Sequence, residues 1–519
     1  PEPDTRNPNP GTRTPMYTGH GFESFTIGDI DVVWDGEKYH LFHLVLPNHD
    51  YIAHATSDDG LVWDRVPHAL FIDNPGAFDD DMLWTMHVTP DPHRGGWRMM
   101  YTGLKRAEQG RIQRVGAAHS PDLYHWTKLH ANYPLEITGE HYEAEIYHER
   151  RWVSFRDPFL FHENGRCYLL ASGRVNEGPE VRRGCVALAE EVGEDEFAFR
   201  PPMHWPRNYD EIEVPGLIKI DERYFLIGSL REDVKVRYWY ASELEGPYEN
   251  FFDNVLMPRG NYAARPMWNH AGEPLVWSFF FRRKADGTRH QMLPPPKRLA
   301  VMDDGRLALR SCSDRFDKRV INSVTSQGLA PLEKLMNNPH AEGDLERFDC
   351  WVGCKSGFEA LLLRGEYDDF RLRGTLAFEG LGKAGLVFRV DNEGNGYHLS
   401  LDLIKGLAQV RAWGVSDIPG NEEAFRFASL QGSNWVSDRE GPWDFELVAF
   451  GSYLEFSING WVELTLGDDC YRRGRVGFYV ESSRIKISNL KLEELDYREA
   501  PELAPSDRGG MSASGTGRG

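Results

Sequence analysis

The stretch 34-WDGEKYHLFH-43 is a polar turn followed by a strand rich in aromatic and apolar residues, the signature of a β-hairpin. The same unit returns as 94-RGGWRMMYTG-103, 162-HENGRCYLLASG-173, 220-IDERYFLIGS-229 and 270-HAGEPLVWSFF-280. A second half-unit, a strand ending in Ala-x-Ser or a relative and then an acidic turn, stands in 53-AHATSDDGLVWDRV-66 and 117-AAHSPDLYHWTKL-129, with a looser form in 240-YASELEGPYE-249. The two halves together supply about four short strands at a spacing of roughly 50 to 70 residues. Four-stranded sheets repeated around an axis make a β-propeller. Five copies of the hairpin therefore predict an all-β, five-bladed propeller over residues 21–312.

Beyond the repeats, 330-APLEKLMNN-338 predicts a short helix inside a linker, residues 313–345. Plain alternation then takes over, as in 369-DFRLRGTLAFEG-380, 384-AGLVFRVDN-392 and 474-GRVGFYVESSRIKISNLKLEEL-495. Antiparallel strands joined by Gly/Asn turns predict a C-terminal β-sandwich over 346–497. Residues 1–20 form an N-terminal arm and 498–519 a low-complexity tail with little apolar surface to offset ordering.

The net charge of -21, from 59 basic and 80 acidic residues, argues against a polyanion such as nucleic acid, whose binding needs clustered Lys and Arg. Six scattered cysteines (Cys167, Cys185, Cys312, Cys350, Cys354 and Cys470) make neither a disulfide framework nor a zinc motif. No metal site and no cofactor are expected. No apolar run reaches the roughly 18 residues that span a bilayer. The stretch PEPDTRNPNPGTRTP at residues 1–15 lacks a hydrophobic signal core, so a cytoplasmic location is expected, or secretion if a leader has been removed. The same Pro-rich arm is of a kind that can wrap a neighbouring subunit, which leaves a homo-oligomer open.

In 153-VSFRDPFLF-161 an Arg-Asp pair and a proline interrupt an apolar run. Burying two charges is costly unless the site uses them. In a propeller the inner strands converge at one end of the axis, so acids at equivalent repeat positions become neighbours. Measured back from the hairpin turn, Asp29 lies six residues before Asp35, Asp157 seven before Asn164 and Glu213 eight before Asp221. One such acid is more often a strand or turn cap; three in register point to a shared pocket. Grouped carboxylates are what glycosidic cleavage requires, and crowding raises the pKa of at least one. Asp31 rivals Asp29, and Glu211 rivals Glu213. Arg156 would balance the charge of Asp157.

These residues resemble the clan-J glycoside hydrolases, and most of all family 32. The resemblance rests on 28-GDIDVVWDGEKYHLFH-43 with 53-AHATSDDGLVWDRVPHAL-70, on 156-RDP-158, on Glu213-Val214-Pro215, on 261-NYAARPMW-268 and on 298-RLAVMDDGRLALR-310. It implies that Asp29 is the nucleophile, Glu213 the general acid/base and Asp157 the transition-state stabiliser. Gly28-Asp29-Ile30-Asp31 stands where the family has Asn-Asp-Pro-Asn-Gly, and its form is also similar to family 43, which works by inversion.

Further substrate contacts are expected from the second and fifth inner strands. In 79-DDDMLWTMHV-88 these are Asp81, Trp84 and His87, since an indole stacks on a sugar ring and Asp or His takes its hydroxyls. A packing role for Trp84 and a satisfied buried role for His87 are the structural alternatives. His54 lies nearer the rim. Tyr262 and Arg265 would close the ring, the arginine hinting at a substrate with extra hydroxyls or an acid group. The expected function is release of a terminal furanoside, a β-fructofuranoside first, by retaining double displacement on an oligosaccharide or small glycoside. The alternatives are an inverting arabinofuranosidase or xylosidase, a fructosyl transferase or difructose-anhydride enzyme, and a non-catalytic sugar-binding propeller.

Overall fold

The computed structural model describes residues 16–17, 26–146, 150–283, 289–329, 331–346, 348–415, 425–435 and 441–496. Four hairpin-rich stretches each fold into a separate antiparallel sheet of four strands in sequence order. The first holds β1 (Thr26–Trp34), β2 (Tyr39–Leu46), β3 (Tyr51–Ser57) and β4 (Asp64–Phe71). The second holds β5 (Met82–Pro90), β6 (Trp97–Leu104), β7 (Arg114–Ser120) and β8 (Thr127–Leu129). The third holds β9 (Arg156–Glu163), β10 (Arg166–Arg174), β11 (Gly184–Gly193) and β12 (Glu196–His204). The fourth holds β13 (Glu213–Ile220), β14 (Arg223–Leu230), β15 (Lys235–Ala241) and β16 (Val255–Met257).

The turns behave as their residues demand. Asp35 Oδ1 accepts hydrogen bonds from the backbone N–H of Glu37 and Lys38, both at 2.7 Å. Asn164 (φ 52°) and Asp221 (φ 52°) take the left-handed conformation that tight hairpins need. The aromatic second strands fill the seams between sheets. Phe42 and Ile52 pack with Leu83, Met86 and Met99, joining the first sheet to the second. Val115 and Met100 meet Leu169 and Ala187, and Phe159 and Leu170 meet Leu217 and Leu226. These four sheets are blades of a β-propeller.

The next strands are β17 (Asn261–Trp268), β18 (Pro274–Arg283), β19 (Arg289–Met292), β20 (Lys297–Val301) and β21 (Leu307–Arg310). They pair in the order β17-β18-β20-β21, yet they do not stand as a separate sheet. β18 runs parallel to the C-terminal strand Trp461–Asp468 through Arg282 and Arg283, and β21 meets Trp461 through Arg310. The fifth hairpin thus continues into an 18-stranded sheet. It also packs back on the start of the chain, where Ala263 and Trp277 share a cluster with Ile27 and Val32.

The C-terminal region is rich in sheet and has its own core, with Phe370, Leu386, Phe445 and Phe478 among its members. The 21-residue strand Arg475–Leu495 pairs with Val320–Thr325, Cys350–Leu362, Phe370–Phe378 and Lys383–Val390. The helix expected at 330–338 does not form: Glu333–Lys334 is a short strand on Leu361–Leu362, and Leu332 and Leu335 are drawn into apolar clusters beside it. Helical structure in the expected linker is a 3-10 segment, Ser313–Arg319. Residues 1–15, 18–25 and 497–519, and with them most of the expected arm and the whole tail, lie outside the described residues. Among the described residues no helix is long and apolar enough to cross a membrane.

Candidate active site

Each of the five strands that open a repeat carries one surplus residue. The register breaks between Ile27 and Ile30 in β1, Trp84 and Met86 in β5, Arg156 and Phe159 in β9, Glu213 and Gly216 in β13, and Tyr262 and Arg265 in β17. A β-bulge bends its strand and re-aims the side chains next to it. Asp157 (φ 59°), Val214 (φ 50°) and Ala263 (φ 53°) hold the left-handed conformation at three of these breaks. Such backbone persists where surroundings fix it, and it concentrates at functional sites. The amides freed from the ladders find other acceptors: Asp157 N–H donates to Thr102 Oγ1 (3.1 Å), Val214 N–H to Asp157 Oδ2 (3.0 Å) and Ala263 N–H to Ser229 Oγ (3.0 Å). Pro158 and Pro215 follow two of the bulged residues, where a missing N–H does no harm.

The bulges bring Asp29, Asp157 and Glu213 into one electrostatic cluster. Asp29 is half-buried and accepts a hydrogen bond from Thr85 Oγ1. Burial, followed by the charge of Asp157, pushes its carboxyl up to about 7, with Glu213 adding to the rise and Arg265 opposing it. Glu213, whose side chain is 15% exposed, accepts from Arg156 Nη2 at 2.6 Å and from the Tyr262 hydroxyl. Burial raises it as well; Arg156 works against that and Asp157 with it. Asp157 is 2% exposed and lies 3.5 Å from Arg156 Nε. Asp29 and Glu213 are thus both raised in one cluster, and coupled groups titrate together.

Glu211, the rival of Glu213, is committed elsewhere. Its two oxygens accept from Arg156 Nη1 (3.1 Å) and Nη2 (2.7 Å), from Arg150 Nη2 (3.1 Å) and from Trp152 Nε1 (3.2 Å). Burial would raise this carboxyl, but Arg156 outweighs it and the pKa falls to about 2. Glu211, ionised at neutral pH, anchors Arg156, which in turn reaches Glu213 and Asp157.

The expected substrate contacts fare unevenly. Tyr262 meets Glu213. Asp31 is buried, with Oδ2 accepting from Val88 N–H (2.6 Å) and lying 3.2 Å from His87 Nδ1. His87 stacks on Phe159 at 4.2 Å and its Nε2 reaches the Leu160 carbonyl at 3.3 Å, so its ring is packed in the core while Nδ1 makes no hydrogen bond among the described residues. His54 does not reach the pocket: it is 0% exposed, bonded to His40 at 2.9 Å and stacked on Phe42 at 4.4 Å. Arg265 is not a substrate contact either. It is 1% exposed, and Nη1 and Nη2 go to the carbonyls of Pro215 (2.8 Å), Pro158 (3.1 Å) and Met86 (3.2 Å). Trp84 is half-buried beside His49 at 6.2 Å, and its indole N–H is buried without a partner among the described residues. Asp81 directly precedes the second inner strand and sits 3.5 Å from Arg106.

Three contributors went unnoticed in the sequence. Thr85 lies inside the inner-strand run but looks like any strand threonine. Trp152, stacked under Arg150 at 4.1 Å, precedes the Arg-Asp-Pro motif by too little to stand apart from it. The exposed Arg231 lies 3.8 Å from Glu213 and follows the aromatic strand of the fourth hairpin, with no local signal. Among the described residues no group of three or more His, Cys, Asp or Glu is placed to hold a metal ion.

Raised carboxylates beside a buried arginine, set where propeller strands converge, are the kind of groups that glycosidic cleavage requires, and the class the chain belongs to is that of the glycoside hydrolases. Residues 31–289 match the glycosyl hydrolases family 32 N-terminal domain. Through that domain the chain belongs to glycosyl hydrolases family 32. No curated protein matches the sequence. Solved structures do match its fold. Sucrose-6-phosphate hydrolase from Lactobacillus gasseri is 18% identical, with 91% of each chain covered and a TM-score of 0.65. Fructan 1-exohydrolase IIa from Cichorium intybus is 15% identical over 94% of this chain and 98% of its own, with a TM-score of 0.68. Exo-inulinase from Aspergillus awamori is 15% identical over 94% and 99%, with a TM-score of 0.66.

Proposed function

We propose that the chain hydrolyses a terminal β-fructofuranoside of a sucrose- or fructan-type oligosaccharide by retaining double displacement. Asp29 attacks the anomeric carbon while Glu213 gives its proton to the departing glycosidic oxygen. Glu213 then takes a proton from water, whose oxygen attacks the same carbon and releases Asp29. Asp157 accepts hydrogen bonds from ring hydroxyls, and Arg156 holds Asp157 and Glu213 in place. The observation that carries this reading is the coupling of Asp29 to Asp157 and Glu213, which leaves two raised carboxyls in one cluster while Glu211 is locked as an anion. The choice of fructofuranoside rests on the family and on the activities named for the structural neighbours.

The same reading takes β17, β18, β20 and β21 as the fifth blade, completing a propeller over 21–312, and the sheets of 346–497 as a supporting sandwich. Packing of β17 and β18 on both β13 and β1 supports the closure.

The test is product release from sucrose, inulin- and levan-type oligosaccharides, difructose anhydrides and aryl arabinofuranosides. Wild type, Asp29→Asn and Glu213→Gln are compared. Fructose release that each substitution cuts at least roughly a thousandfold supports both roles. Pentose release moves the chain to an inverting arabinofuranosidase, and retained sugar binding without turnover makes it a binding propeller.

A further inference from the structure

We propose that Arg265 is a positioning residue: its guanidinium gathers the carbonyls that three bulges release and thereby fixes the spacing of Asp29, Asp157 and Glu213. The inference rests on the catalytic reading of those three carboxylates.

A bulge leaves part of its strand outside the ladder, and a buried carbonyl without a donor is destabilising. Met86, Pro158 and Pro215 sit at the bulges of β5, β9 and β13. All three of their carbonyls accept from the two terminal nitrogens of Arg265, which follows the bulge of β17. One planar fork thus ties four inner strands together. Each tie lies beside a reacting group. Met86 follows Thr85, the hydroxyl that holds Asp29; Pro158 follows Asp157; Pro215 stands two residues after Glu213. A point charge on a flexible stem does not reproduce that fork.

The surroundings are built to admit this side chain. A Cβ on Gly216 would come within 2.6 Å of Pro266 Cδ, so the glycine lets β17 approach β13 closely enough for Arg265 to reach Pro215. The guanidinium carbon lies 5.6 Å from the Phe159 ring centroid, and Phe159 is stacked on His87. With 1% exposure and both terminal nitrogens engaged by backbone carbonyls, Arg265 faces the strands rather than solvent, and its Nε is buried without a partner among the described residues. Its charge still acts on the pocket. Asp29 and Asp31 from β1 and Asp157 from β9 attract it, while burial disfavours its charged form. Arg156 and Glu213 are further charged groups at this level, with Glu211 on Arg156 and Arg231 beside Glu213, and His87 from β5 and Tyr262 from β17 are the titratable neighbours.

Charge and geometry separate in three variants measured with wild type on whichever substrate wild type turns over. Arg265→Lys keeps the charge but loses the fork, and Gly216→Ala keeps the arginine but pushes β17 away. Both are expected to lower kcat about tenfold to a hundredfold with KM little changed and the acid limb of the pH profile unmoved. Arg265→Met removes the charge as well. The cation favours the ionised form of Asp29, so its loss raises that pKa further and the acid limb moves to higher pH. Hydrogen exchange supplies a readout that needs no substrate: in Arg265→Lys, peptides around residues 83–88, 155–160 and 212–217 are expected to exchange faster together, while the outer strands β4, β8 and β12 do not. Unchanged exchange in those three peptides overturns the proposal, as does a kcat within about twofold of wild type in both Arg265→Lys and Gly216→Ala. A folded Arg265→Met with the wild-type pH profile overturns the electrostatic half. A wild type that cleaves no fructofuranoside sinks the substrate assignment instead, and exchange then decides on Arg265 alone.

Discussion

Removing one oxygen atom tests the electrostatics of the site most cleanly. The Tyr262 hydroxyl donates to Glu213 Oε2, and this bond lowers the Glu213 pKa against the burial that raises it. Tyr262→Phe deletes the bond but keeps the ring, which lies against Phe279 (6.0 Å) and Phe281 (6.2 Å). A hydrogen bond to a charged group is worth about 1.5–3 kcal/mol. At about 1.4 kcal/mol per unit, the Glu213 pKa should rise by about one to two units. As general acid, Glu213 becomes a carboxylate in the transition state, so the lost bond also weakens transition-state binding and kcat should fall about 10- to 150-fold. The assay is kcat and kcat/KM from roughly pH 4 to 9, where the alkaline limb reports loss of the acid's proton. That limb should move to higher pH. A limb that stays in place or moves down, with kcat within about threefold of wild type, refutes the assignment of Glu213 as an acid poised by Tyr262.

Three further outcomes are expected. Asp31→Asn keeps an acceptor for Val88 N–H and should retain activity within about tenfold of wild type, against at least about a thousandfold loss for Asp29→Asn; kinetics showing the reverse order would move the nucleophile to Asp31. Glu211 has its folded pKa depressed to about 2, so its stabilising charge is present above the unfolded value of about 4.3 and is lost as pH falls toward 2. The melting-temperature gap between wild type and Glu211→Gln should therefore narrow between those two pH values, and a constant gap counts against the anchored anion. Lys297 of β20 bonds Tyr453 (2.6 Å) and pairs with the buried Glu455 (2.8 Å), so Lys297→Met leaves a buried carboxylate without its cation at about 3–5 kcal/mol, a fall of about three to five degrees by calorimetry. Lys297→Met combined with Glu455→Leu should recover most of that loss.

What could be read in the sequence was local. The hairpins declare themselves because Asp35, Asn164 and Asp221 are turn residues and the aromatic strands follow at once. The Arg-Asp-Pro anomaly was legible because charge inside an apolar run needs a reason, and the structure supplies Glu211 and Glu213 as that reason. Long-range facts were hidden. Nothing near β18 announces that its far end will pair with residues 467 and 468, which is why the fifth hairpin does not stand alone. Arg265 is buried by partners from other sheets and His54 by His40 and Phe42 of the neighbouring strand, so a polar residue in a plausible place could not be told from a ligand contact. The segment 330–338 has helix formers, but Leu332 and Leu335 find better burial beside Leu361 and Leu362 as an edge.

The surplus residue in each inner strand also bears on how such a chain can change over generations. Below each break, pairs such as Val32 with Leu41, Val88 with Met99, Leu160 with Leu169 and Ile218 with Phe225 keep their own register, untouched by what stands above. The rung proposed to do the chemistry is in this sense a removable crown on a fixed stem. Replacing Asp29 or Glu213 alters what the crown can do and leaves the stem's pairing intact, so a gain or change of activity need not pass through misfolded ancestors. Bulge-level residues are the natural targets for directed evolution of a new glycosidic specificity, with the pairs beneath them held constant.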